Sequence, residues 1–200
     1  MQEFTDFLKS RQKVNLAIVI ANILAFVVLT FLGNTEDARF MLEHGACFTS
    51  LIREGEYYRL FTGMFLHFGA EHLLYNMLLL IFVGDTLERI VGKVRYLLLY
   101  LGGGLVGNIV SCVWEVYRED YAVSAGASGA IFAVIGALVY IVMRNRGDAG
   151  EISGRRLLLM AGLSILQGLM ESGINNSAHI GGFLGGFVLA WLLGAARRRK

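Results

Sequence analysis

Residues 14–33 run without a charged side chain, and five more apolar stretches follow at 60–84, 96–116, 128–143, 157–170 and 178–196. A helix needs about 20 apolar residues to cross the hydrocarbon layer of a bilayer. Charges are confined to short clusters between these runs, such as Asp85, Glu88, Arg89, Lys93 and Arg95, and then Arg118, Glu119 and Asp120. A soluble chain of 200 residues would spread polar side chains over its surface; this one is 56% hydrophobic, with a mean hydropathy of +0.58. The expectation is an all-α, multi-pass membrane protein with one six-span domain over 1–200. The stretch 157–170 is the shortest and also reads as a buried or re-entrant segment. Proline is absent, so any bend must come from glycine.

The connection 34–59 is long and mixes charges with Phe40, Met41, Leu42, Leu51, Ile52, Tyr57 and Tyr58. A structureless loop of that length is unusual, so short interfacial helices are expected, with Tyr57 and Tyr58 at headgroup level. Lys/Arg excess alternates between successive connections, which by the positive-inside rule puts both termini in the cytoplasm. The first run is too long for a signal-peptide core and reads as an uncleaved anchor. Cys47 and Cys112 suggest no disulfide framework. The net charge of +2, with basic residues at helix ends, gives no nucleic-acid surface.

Three polar residues share a depth. With this topology the second, fourth and sixth spans run in the same direction. His72, Ser128 and His179 stand 13, 16 and 18 residues before the first cytoplasmic charge. At ~1.5 Å per residue these are roughly 20, 24 and 27 Å. Polar groups at such depth face one another or a wet cavity. Ser128 opens the fourth span within Gly126-Ala127-Ser128-Gly129, where glycines permit close approach and a helix start offers unpaired N–H groups. Gly181, Gly182, Gly185 and Gly186 form two overlapping G-x-x-x-G pairs on the sixth span, suited to close packing that would set His179 against Ser128. A neutral imidazole there takes the hydroxyl proton during nucleophilic attack. Neither span carries Asp or Glu, so the expectation is a dyad, with Glu171 a weak candidate for a third member. The competing reading is that small residues only pack the helices, and that His72 and Asn76, four apart on one helix face, form an interhelical hydrogen-bonding pair.

Together, Gly126-Ala127-Ser128-Gly129, Ala178-His179-Ile180-Gly181-Gly182 and His72-Leu73-Leu74-Tyr75-Asn76, in this order on these spans, resemble the rhomboid family of intramembrane serine proteases. Tyr58-Arg59 resembles the family's aromatic-Arg pair, and Glu88 with Gly92 a further recurring feature. The resemblance implies a six-span rhomboid-like bundle with Ser128 as nucleophile and His179 as general base. It implies that His72, Asn76 and the Ser128 amide hold the oxyanion, with Gly126, Gly129 and Phe132 in support. His67 would lie at the outer mouth, and Arg59 would hold the first loop. Phe132 stands where family members often carry a tyrosine stacked on the histidine; stacking survives that change, a phenolic hydrogen bond does not.

The implied function is serine endopeptidase cleavage of single-span membrane proteins in the lipid bilayer, near small residues and helix-weakening stretches. No metal or organic cofactor is implied, and no nucleic acid. A bacterial plasma membrane is the expected location. Two rivals remain: a non-catalytic rhomboid-like protein that binds membrane helices, and a small transporter using the intramembrane histidines as proton sites. Against the latter, the chain has no inverted repeat.

Overall fold

Helix α1 (Lys13–Leu32) carries apolar side chains on nearly all sides. Leu24, Val28 and Phe31 point outward, while Asn15 and Asn22 are buried at 1% and 0% exposure. The computed structural model to which it belongs describes residues 11–145 and 173–195, with Leu159, Gly162, Leu163 and Leu166 between them. Among the described residues the architecture is helical, without a strand. Among the described residues two helices are long and apolar enough to cross a membrane, α1 and α7 (Lys93–Arg118), and the bent pair Arg59–Phe65 with Gly69–Val91 makes a third if it counts as one span. The segment 157–170, read as a fifth span, lies outside the described residues apart from those four positions.

The loop 34–59 holds two short helices, α2 (Ala38–Glu43) and α3 (Thr49–Arg53). Asp37 starts α2 by accepting a hydrogen bond from the Phe40 N–H. Arg59 pins the loop from within. Its buried guanidinium donates to the carbonyls of Leu42 and Ala46 at 2.6 and 3.0 Å and pairs with Glu56 at 2.6 Å. Tyr57 and Tyr58 point outward.

The segment 60–84 is not the straight span expected from its apolarity. Helix α4 (Arg59–Thr62) and a 3₁₀ turn (Gly63–Phe65) give way to extended backbone at Leu66 and Phe68. The chain then turns at Gly69, whose φ of +74° favours glycine. The helical stretch Gly69–Val91 that follows lies at 89° to Arg59–Phe65. It comprises α5 (Gly69–Leu79), a π-type turn (Leu80–Gly84) and α6 (Asp85–Val91).

Asp85 and Glu88, expected in a charged loop, are instead helical and buried at 3% and 1% exposure. Their burial is compensated by hydrogen bonds, as buried charge requires. Asn15 Nδ2 donates to Asp85 and to the Leu80 carbonyl at 2.8 and 3.0 Å. Glu88 accepts from the Val14 and Asn15 N–H groups, and Tyr96 Oη donates to Asn15 Oδ1 at 2.6 Å. This cluster ties the start of α1 to α6 and α7.

Helix α8 (Ser128–Arg144) is the centre of the packing: 13 of its 17 residues are buried. A helix apolar on every side belongs in a core. Its 17 residues span roughly 25 Å, short of the ~30 Å hydrocarbon layer. Helix α9 (Asn176–Leu192) crosses it closely. A Cβ on Gly182 would overlap the Gly129 carbonyl, and one on Gly186 the Ala133 carbonyl. The four-residue period on both helices meshes backbone against backbone.

Candidate active site

Ser128 is the first residue of α8, and the Gly129 carbonyl beside it meets Gly182 of α9. His179 stands three residues before Gly182, nearly one turn towards the same end. The crossing therefore sets the two side chains face to face. Ser128 Oγ lies 2.8 Å from His179 Nε2 and donates to it when the ring carries its proton on Nδ1. Among the described residues Nδ1 of His179 has no hydrogen-bond partner. Glu171 lies outside the described residues.

Phe132, one turn along α8, stacks on the His179 ring with centroids 4.3 Å apart and planes 5° from parallel. His179 itself is 7% exposed. Its ring is thus held by Phe132 on one face and by Ser128 at its edge.

The turn ahead of Ser128 is fixed from three directions. Ser124 exchanges two backbone hydrogen bonds with Cys47 of the first loop, at 2.8 and 2.9 Å. The Gly126 N–H donates to the Gly63 carbonyl at 2.9 Å. The Ala127 N–H donates to His67 Nε2 at 3.3 Å. Gly126 has φ +145°, and a Cβ there would come within 3.0 Å of His72 Nε2 and 3.7 Å of Ser128 Oγ. Its missing side chain leaves a space bordered by the imidazole of His72 and the hydroxyl of Ser128. The N–H groups of α8's first turn face that end of the helix with no intrahelical acceptor.

Ser128, His179, Phe132, Gly126 and His72 thus converge. Asn76 is buried one turn further along α5, and its Nδ2 donates to the His72 carbonyl at 2.9 Å. Gly129 serves the helix crossing. His67 is corrected: expected at an outer mouth, it is fully buried behind the turn, its ring edge-on to His72 at 5.2 Å. The available signal was a histidine inside an apolar run, which needs a polar partner when buried. Asn108 donates to the Leu60 carbonyl, away from this cluster, and Gln167 lies outside the described residues.

Cys47 donates to the Arg59 carbonyl at 2.9 Å, and burial pushes its thiol up to about 12, which leaves it protonated and unreactive. A hydroxyl paired with a neutral imidazole, at a helix start with free N–H groups, is an arrangement suited to acyl transfer.

A family model described as the Rhomboid domain matches residues 54–196. The chain is 40% identical over 176 residues to rhomboid protease GluP of Bacillus subtilis, a match covering 88% of this chain and 34% of GluP. It is 36% identical over 149 residues to YdcA of the same organism, covering 74% of this chain and 73% of YdcA. It is 28% identical over 198 residues to rhomboid protease AarA of Providencia stuartii, covering 88% and 70%. The matched region is thus about a third of GluP's length. The matched family domain contains the Ser128–His179 contact and the helix crossing that makes it, and the chain, an integral membrane protein, belongs to the rhomboid family.

Proposed function

We propose that the protein is an intramembrane serine endopeptidase that cleaves single-span membrane proteins in or beside their transmembrane segments. The observation that carries this reading is the 2.8 Å approach of Ser128 Oγ to His179 Nε2. Ser128 attacks the substrate carbonyl carbon while His179 Nε2 takes the hydroxyl proton. The oxyanion accepts hydrogen bonds from the Ser128 N–H and from the side chains of His72 and Asn76. Asn76 has two N–H bonds; one is held by the His72 carbonyl and the other is available to give. His179 then passes its proton to the leaving amine, the C–N bond breaks, and an acyl-enzyme remains. Water, giving a proton to His179, attacks the ester; His179 returns that proton to Ser128 Oγ as the C–O bond breaks and the second fragment leaves.

Water must therefore reach Ser128, which a position at the outer end of α8 allows. A substrate helix must unwind locally, because its backbone groups are otherwise paired. In this reading the chain makes six crossings with both termini cytoplasmic, in a bacterial plasma membrane.

The test is purified protein in detergent with a single-span substrate. Ser128→Ala is expected to abolish cleavage, and unchanged turnover sinks the serine mechanism. A well-folded wild-type sample that a fluorophosphonate never labels at Ser128 favours the non-catalytic helix-binding reading.

A further inference from the structure

The residue that caps α9 is linked through a serine hydroxyl to a carboxylate on another helix. Asn175 Oδ1 accepts from the Ala178 N–H at 3.0 Å, and the Asn175 carbonyl accepts from the His179 N–H at 3.2 Å. The cap thus fixes the turn from which the His179 side chain projects. The other end of the Asn175 amide is engaged as well: Nδ2 donates to Ser111 Oγ at 2.7 Å. Ser111 is buried on α7 at 3% exposure. It spends its own proton on Glu115 Oε1, one turn along α7, at 3.4 Å. The second carboxylate oxygen of Glu115 accepts from Thr49 Oγ1 at 2.6 Å. Thr49 opens α3 in the first loop and is buried at 2% exposure. Two residues earlier, Cys47 holds Ser124 and with it the turn that carries Ser128.

We propose that Glu115 is a positioning residue for the dyad: through Ser111 it orients Asn175 and the first turn of α9, and through Thr49 it anchors that turn to the loop that holds the Ser128 turn. The inference rests on the protease reading and deepens it. The donor directions require an acceptor at this place. Asn175 gives to Ser111, Ser111 and Thr49 give to Glu115, and a carboxylate is the side chain that only accepts. Ser177 Oγ, in the first turn of α9, also donates to Asn175 Oδ1 at 2.8 Å and lies 3.3 Å from Ser111 Oγ. Without the carboxylate Ser111 turns its proton elsewhere in this network, and the grip on the Asn175 amide loosens. A displacement of His179 by a fraction of an ångström then lengthens the contact with Ser128 Oγ, and misplacement on that scale lowers rate more than binding.

The test compares wild type, Glu115→Ala, Glu115→Gln, Asn175→Ala and the Glu115→Ala/Asn175→Ala double variant, reconstituted in liposomes with a single-span substrate. Glu115→Ala is expected to lower kcat roughly tenfold with KM within about twofold. Fluorophosphonate labelling of Ser128 should slow in parallel. Glu115→Gln, which keeps one acceptor oxygen, should recover at least half of the lost rate. In the Asn175→Ala background the Glu115→Ala effect should shrink, because the route through the cap is already lost. Hydrogen exchange gives a readout independent of turnover: the Ala178 and His179 amides should exchange faster in Glu115→Ala, while amides in the middle of α8 do not change. Unchanged kcat and labelling, a loss that follows only the folded fraction, or unchanged exchange at Ala178 and His179 would each overturn the proposal. A wild type that neither cleaves nor labels counts against the protease reading alone, and the exchange comparison still decides whether Glu115 holds the cap.

Discussion

The rings of Phe132 and His179 lie 4.3 Å apart and within 5° of parallel. A stacked aromatic pair contributes about 0.5–1.5 kcal/mol beyond its buried area. Phe132→Leu keeps most of the volume and removes the flat face. It should lower kcat roughly two- to tenfold while thermal unfolding in detergent moves little. Phe132→Tyr retains the ring and should retain at least half of the wild-type rate. Equal activity in Phe132→Leu and wild type would mean that stacking does not orient His179.

His67 accepts the Ala127 N–H from a fully buried position. His67→Ala leaves that donor without a partner, at a cost of about 1–3 kcal/mol. It should lower the unfolding temperature and slow labelling of Ser128. His67→Gln, whose side-chain oxygen can accept the same bond, should recover part of both. The comparison is read by thermal unfolding and probe kinetics on the same samples. A stable, fully active His67→Ala would show that the turn stands without this bond.

Gly182 meets the Gly129 carbonyl with no room for a Cβ. Gly182→Ala must push α9 from α8, and overpacking of this kind costs about 1–3 kcal/mol. Because the displaced helix carries His179, activity should fall further than the folded fraction does. Cleavage rate normalised to folded protein measures the difference. Normalised activity equal to wild type would uncouple the crossing from the dyad.

Glu56 is held below the usual carboxylate range by hydrogen bonds from Tyr58 and Arg59. Its contribution to holding the first loop is therefore present above the unfolded-state value of about 4.3 and is lost as pH falls through its lower folded value. Glu56→Gln should flatten the dependence of the unfolding temperature on pH below the unfolded-state value of about 4.3. The change should be small, since the carboxylate is 39% exposed and solvent screens the pair. Arg59→Lys should destabilise the loop at every pH, because an ammonium cannot reproduce the guanidinium's fork to Leu42, Ala46 and Glu56. Identical pH profiles for wild type and Glu56→Gln would remove Glu56 from the account.

The class of molecule and the candidates for its chemistry are legible in the chain alone. Apolar length and charge clustering are local properties, so the membrane character of α1 and α7 was legible residue by residue. Ser128, His179, His72 and Phe132 could be named because motifs are also local. Whatever depends on segments far apart in the chain had to wait for the fold. Residues 66–69 bend because they pack against the turn before Ser128, which no periodicity in 60–84 announces. Asp85 and Glu88 read only as part of a charge cluster between apolar runs; Asn15, some 70 positions earlier, is a partner that their burial depends on. His67 is a partner of Ala127, 60 positions later, only because the chain folds back on itself. The 2.8 Å contact between Ser128 and His179 spans 51 positions, and it exists because Gly129 and Gly182 let two backbones touch.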